Sequence, residues 1–246
     1  MKIAPSMLAY LHGDAFSNGL TVQFESEPDD DAVRSRIDWL EELCAQRRVV
    51  HVGCVDHDLT QVAHKRKRGK WLHERLCGVT ERCLGVDINA QGIAQLKDEL
   101  GYDDVLAADL LVDSCEPVFA SQWDDFLLGE VLEHIGNPVA FLTQLRKRFQ
   151  NQTKRFIITV PNAFAAENMA DAREGIERIN SDHRFWFTPY TLSKVCVDAG
   201  LTPSRLLLCR NGIVKRRSIL KNWKLSRRPW LRNNIILLAD LSVSAD

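Results

Sequence analysis

From Val49 onward, short uncharged runs of branched and aromatic residues alternate with longer amphipathic stretches. Unbroken apolar runs of this kind suit strands buried on both faces, and the stretches between them repeat at helical spacing. The pattern predicts strands over 49–52, 83–86, 105–107, 126–128, 156–160, 205–208 and 234–238. Helices are predicted near 71–79, 91–100, 138–149 and 190–199. Strand and helix in alternation imply an α/β chain with a doubly wound, mainly parallel seven-stranded sheet, and ligands in such sheets bind at the carboxyl ends of the strands.

The remainder is organised around that unit. The first 24 residues carry no clear pattern, and 25–31 are acidic. Over 32–46, Ile37, Leu40, Leu43 and Cys44 recur at helical spacing, which predicts an amphipathic helix covering the sheet edge. We therefore divide the chain into a cover segment, 1–48, and a main domain, 49–246, interrupted by insertions at 58–70, 163–182 and 210–233. A length of 246 residues with 45% apolar content suits one such domain. The net charge of −1 leaves no global field, so any charged partner must be met by a local patch. No apolar stretch is long enough to span a membrane, and a cytoplasmic protein is expected. The seven cysteines are scattered without a Cys-x-x-Cys pair, and reduced, mostly buried thiols are expected. No feature specifies an oligomeric state.

Residues 125–138 are the most informative stretch. Phe126, Leu127 and Leu128 form an apolar run, Gly129 lets the backbone turn, and Asn137-Pro138 opens a helix with a cap and a preset φ. Between them stand Glu130, Glu133 and His134, side chains able to move protons or hold cations. Two further strands end on carboxylates, at Asp87-Ile88 and at Asp109-Leu110. An acidic group there can accept both hydroxyls of a ribose or the amino group of a base; the alternative is that each caps the following helix.

The run Gly129-Glu130-Val131-Leu132-Glu133-His134 resembles the motif after the fourth strand in class I S-adenosylmethionine (SAM) methyltransferases, particularly the ubiquinone-biosynthesis-like branch. The resemblance covers about 49–208 and implies a Rossmann-like fold with SAM as cofactor. It places Asp87 on the ribose and Asp109 near the adenine, with Gly53, Cys54, Val55, Ile88, Leu110, Gly129 and Glu130 completing the cofactor site. The first loop departs from the family pattern: Val55 and His57 stand where glycines are usual, and His51 replaces an acidic residue. That departure keeps open a catalytically inactive SAM-fold binding protein. A nicotinamide dehydrogenase would need a Gly-x-Gly-x-x-Gly turn, which the chain lacks.

Downstream, Val160-Pro161-Asn162 and Asp182-His183-Arg184-Phe185-Trp186-Phe187-Thr188 also resemble the small-RNA 3′-terminal 2′-O-methyltransferases. That likeness implies a divalent ion, Mg²⁺, Mn²⁺ or Zn²⁺, held by Glu130, Glu133, His134 and His183. Without a metal, His134 or His183 would act as general base, with Glu133 beside it, because imidazole titrates near neutral pH. Two histidines beside a methyl donor favour an alcohol acceptor.

Residues 210–232 carry nine basic residues and no acidic one, with Trp223 and Trp230 among them, and 64–71 add a second basic run. Folded over the strand ends they would form a basic, aromatic rim; the alternative is a solvated face. The rim suits an anionic small molecule or glycan, and O-methylation of a saccharide is the expected reaction, with RNA as the alternative acceptor.

Overall fold

The structure is a computed structural model that describes residues 1–27, 33–56, 59–212, 214 and 219–241. The chain opens with β1 (Lys2–Ile3), α1 (Leu8–His12) and β2 (Phe24–Glu25), which pairs antiparallel with β1, followed by α2 (Arg36–Cys44). The alternating region begins with β3 (Arg48–Val52), α3 (Leu59–Arg66), α4 (Leu72–Cys77), β4 (Arg82–Asp87), α5 (Ala90–Leu100) and β5 (Val105–Ala107). It continues through α6 (Glu116–Phe119), β6 (Trp123–Gly129), α7 (Pro138–Phe149), β7 (Thr153–Pro161), α8 (Ala166–Arg173) and α9 (Pro189–Asp198). It closes with β8 (Leu201–Cys209), α10 (Ile219–Ser226) and β9 (Asn234–Leu241).

The main sheet has seven strands in the order β5-β4-β3-β6-β7-β9-β8, and only β9 runs against the others. The chain winds outward from β3 through β4 to β5, then returns to lay β6 on the other side of β3. This reversal leaves a crevice at the carboxyl ends of β3 and β6, the place where open α/β sheets bind ligands.

Local chemistry explains where the helices start. Asn137 accepts from the Ala140 amide and Pro138 supplies the first helical residue of α7, while Ser35 and Thr188 cap α2 and α9 with reciprocal boxes. One face of the sheet buries Phe126, Leu128, Phe156, Ile158 and Leu237 against Leu142, Leu145, Phe149 and Leu192. The other buries Val49, Leu127, Ile157 and Ile236 against Ile37, Trp39, Leu40, Leu72 and Leu76.

The N-terminal helix is shorter than its apolar spacing suggests, and residues 28–32 lie outside the described range. It lies across a face of the sheet rather than along an edge, because Trp39 and Leu40 need the flat apolar surface of the central strands. The three predicted insertions carry α3, α8 and α10. Among the described residues no helix is long and apolar enough to cross a membrane.

Asp125 of β6 is fully buried and lies between the Nε atoms of Arg47, at 2.5 Å, and Arg155, at 2.6 Å. Both arginines are partly exposed, so screening weakens the pairs, yet removing the shared carboxylate leaves two cations facing each other. Asp125→Ala should lower stability by about 3 kcal/mol in urea unfolding; a change under about 0.5 kcal/mol would show that the clamp is idle.

Candidate active site

A cleft of about 580 Å³ opens at the carboxyl ends of β3, β4 and β6. Its floor is the loop after β3. Gly53 has φ +77° and its amide donates to Val86 O, and a Cβ there would stand 2.9 Å from Val131 Cγ2. Glycine is therefore required on both conformational and steric grounds. Cys54 and Val55 are buried beneath it, and Val55 N donates to Asp87 Oδ2 at 2.9 Å. The other Asp87 oxygen accepts from Asn89 N. Each carboxylate oxygen keeps a second lone pair, and Ile88 beside it is 79% exposed.

The valine in place of a family glycine has a compensating partner. Its side chain packs with Val62, Trp71, Ile93 and Leu96, and a Cβ on Gly92, in the first turn of α5, would come within 2.4 Å of Val55 Cγ1. Valine fits in the loop because the facing helix residue has no side chain. His57, the other departure, lies outside the described residues.

The opposite wall is the turn after β6. Gly129 ends the strand, and Glu130 adopts φ +60°, a left-handed conformation unusual for a side chain of its size. Thr159 holds it there: its carbonyl and hydroxyl oxygens both accept from Glu130 N, and its hydroxyl donates to Glu130 Oε1 at 2.9 Å. Asn234 Nδ2 also reaches both Glu130 oxygens, and Arg36 Nη1 lies 3.9 Å away.

A single 3₁₀ turn, Leu132–His134, then delivers Glu133 and His134. Glu133 is fully buried, and among the described residues neither carboxylate oxygen has a hydrogen-bond partner. Burial, reinforced by the nearby Glu130 charge, pushes its pKa up to about 8. His134 Nδ1 lies 3.0 Å from Asp182 Oδ2, which orients the ring and leaves Nε2 as the acceptor nitrogen of the neutral form.

His183 arrives from the segment before α9. That segment is fixed by Arg184 N donating to Glu133 O and by Ala163 N donating to Phe187 O. The His183 ring meets His134 edge to face at 4.6 Å, and Asn180 Nδ2 lies 3.2 Å from its Nε2. Glu133, His134 and His183 each offer one ligand atom, and these atoms lie within 4.8 Å of one another.

Three of the four residues expected around an ion are thus brought together. Glu130 is instead engaged by Thr159 and Asn234. Asp87, Ile88, Gly53, Cys54, Val55 and Gly129 line the same cleft, whereas Asp109 and Leu110 do not. Asp109 accepts from Leu111 N and so caps its own turn, and Leu110 is buried in the core.

Arg36, Lys65, Trp71, Asn180, Asp182 and Asn211 also line the cleft. Lys65 and Trp71 belong to the basic run expected to fold over the strand ends; sequence reasoning missed the others as site residues because they come from the cover helix and the later insertions. Only the position of Asp182 beside His183 gave a local signal.

The basic rim is dispersed. Lys65 pairs with Asp56 at 2.5 Å, Arg66 with Glu74, and Arg227 stacks on Trp223. Arg232 is buried and donates to Leu225 O and Leu208 O, so it braces the fold. Residues 215–217 lie outside the described range.

No protein-family model and no curated protein sequence matches the chain. Among solved structures, the small RNA methyltransferase HEN1 superposes with a TM-score of 0.51 at 14% identity, over 92% of this chain and 28% of that one. The magnesium protoporphyrin IX methyltransferase of Synechocystis, solved with bound SAH, gives 0.48 at 15% identity over 84% and 80% of the two chains. A SAM-dependent methyltransferase from Mesorhizobium loti gives 0.49 at 12% identity over 83% and 97%. Sheet order and the HEN1 superposition together define the Rossmann-like class I methyltransferase fold.

Two outcomes follow from this geometry. Gly92→Ala should displace Val55 and cost about 1–3 kcal/mol of overpacking in thermal or urea unfolding, with Val55→Ala in the same chain recovering most of it; a harmless Gly92→Ala would remove the contact. The second concerns Glu133, which holds its proton in the folded state up to about 8, while the unfolded chain releases it near 4.5. Native stability is therefore lost as pH rises from about 4.5 to 8. In chelator, Glu133→Gln should be near neutral at pH 5 and raise the melting temperature at pH 8.5. A difference independent of pH would refute the assignment.

Proposed function

We propose that the chain is a SAM-dependent methyltransferase that acts on a hydroxyl oxygen of a polyhydroxylated acceptor, a saccharide or a saccharide-bearing anionic molecule. The observation that carries this reading is the unpartnered buried carboxylate of Glu133, set against two histidines in the cleft that Asp87 borders. A fold with no chemistry to perform has no reason to retain an unpartnered ionisable group in so buried a place.

In this reading Asp87 accepts the ribose hydroxyls on its remaining lone pairs, Ile88 offers an apolar face to the adenine, and Gly53 admits the rest of the cofactor. Asp109 would join only after movement of its turn. When bound, the sulfonium supplies an electrophilic methyl group, and the protein's task is to align the acceptor oxygen with it.

Glu133, His134 and His183 fit a divalent cation: one carboxylate and two imidazoles suit Mg²⁺, Mn²⁺ or Zn²⁺, the nitrogens favouring the latter two. A cation held there would acidify a coordinated hydroxyl. Without an ion, Asp182 holds His134 on its Nδ1 side so that Nε2 can take the proton that leaves the hydroxyl, and Asn180 holds the His183 ring beside it.

The acceptor class is supported by a second cavity of about 340 Å³ that shares Pro161, Asn180, His183 and Asn211 with the cleft. Asn162, Asn168, Asn233, Asn234 and Trp186 complete much of its lining. The side-chain Oδ1 of Asn234 is buried without a hydrogen-bond partner among the described residues. Neutral amides beside an indole suit hydroxyl groups on an apolar ring face. The fold shared with HEN1, named for small RNA, supports RNA as the second reading.

Asp87→Ala should weaken SAM binding by about 1.5–3 kcal/mol in calorimetry, the range for a hydrogen bond to a charged group. His183→Ala should cut turnover by about 10²–10⁴ and leave SAM binding largely intact. Labelled SAM offered with nucleotide sugars, glycans and short RNAs should mark the saccharides. Labelling of RNA alone would select the second reading, and failure of the folded chain to bind SAM would refute the enzyme.

A further inference from the structure

A second cluster of ligand-type side chains lies apart from the methyl-transfer residues, where α4 packs on β4. His73 and Cys77 are one helical turn apart on α4 and share a face, and Cys83 is the second residue of β4. His73 Nε2 lies 3.8 Å from Cys77 Sγ, and His73 Nδ1 lies 3.7 Å from Cys83 Sγ. One ligand atom from each residue falls within 4.8 Å of the others. His73 and Cys83 are buried, while Cys77 is exposed and opens the cluster to solvent.

The surroundings keep the imidazole in place. A Cβ on Gly85 would stand 2.8 Å from His73 Cε1 and 3.0 Å from its Nε2, so the ring lies over bare strand backbone. His73 Nδ1 lies 3.2 Å from Nδ1 of His51, whose ring stacks on it at 5.4 Å. At that distance one of the two Nδ1 atoms donates and the other accepts, so His51 can serve as the acceptor for an Nδ1–H of His73. A metal-bound imidazole normally donates its other ring N–H to such a partner.

We propose that His73, Cys77 and Cys83 form a binding site for a thiophilic cation of the Zn²⁺ class. Two thiolates and an imidazole are the ligand set that such ions select over Mg²⁺ or Ca²⁺. Metal–sulfur bonds of about 2.3 Å and metal–nitrogen bonds of about 2.0 Å place tetrahedral ligands roughly 3.5 Å apart, so the three ligand atoms, which lie within 4.8 Å of one another, must draw together to close round an ion.

Both thiols would bind as thiolates, so uptake of the ion releases their protons. Solvent beside Cys77 supplies the fourth position. Sequence spacing concealed the site because its cysteines come from a helix and a strand, with no Cys-x-x-Cys pair. His51 also lines the cofactor cleft, so an ion on His73 would fix a residue of that wall. The site stands independently of the methyltransferase reading.

Cobalt reports thiolate ligands directly. The full chain, stripped with chelator and kept reduced by a phosphine, should develop on titration with Co²⁺ a thiolate-to-metal charge-transfer band that saturates and that Zn²⁺ abolishes. Cys77→Ser, an exposed change that leaves the fold intact, should weaken binding at least ~10-fold and reduce the band. His73→Asn and Cys83→Ser should do the same. The double variant His134→Ala/His183→Ala should keep the band, since that cluster contains no sulfur. The site is refuted if the reduced wild type shows no thiolate band, or if Cys77→Ser changes neither its intensity nor its midpoint.

Discussion

Thr159 determines the shape of the reaction end of the molecule. It sits fully buried on β7, pairs with Gly129 across the sheet, and binds both the amide and the carboxylate of Glu130. A left-handed residue other than glycine costs about 1–2 kcal/mol, and these bonds offset that cost. The left-handed step matters because it turns the chain sideways as it leaves the strand. Leu132 then drops into the core, and Glu133 and His134 are carried into the cleft.

The second histidine depends on the same turn. Glu133 acts here through its backbone, since its carbonyl accepts from Arg184 N and so positions the segment that holds His183. One short turn therefore aligns residues about fifty positions apart. The N-terminal helix adds to this arrangement, because Arg36 donates to Thr159 Oγ1 and lies beside Glu130. The cover segment is thereby part of the site as well as of the core.

Much of this was legible in the sequence. Helix 138–149 and strand 105–107 agree with the structure to the residue, because Asn137-Pro138 and compact apolar runs are local signals. Gathering Glu133, His134 and His183 was also foreseeable, through the motif that each carries. What escaped notice depends on distant partners. The bonds that Thr159 and Asn234 make to Glu130 come from distant strands, and the bond that Asp109 accepts from Leu111 N is the alternative, turn-capping role of such a carboxylate. Val55 looked like a damaged glycine loop, and only the facing Gly92 explains it.

The reversed direction of β9 has a consequence for the order in which the molecule can assemble. Among the described residues β8 has its only sheet partner in β9, and β7 needs β9 to cover its outer edge. While residues 234–241 are absent or detached, β7 presents an open apolar edge and β8 has nothing to join, a state prone to pairing with other chains. Asn234 stands at the start of this last strand, so the buried amide that steadies Glu130 is also the latest to be synthesised. A growing polypeptide can thus form the crevice between β3 and β6 well before its reactive wall is complete.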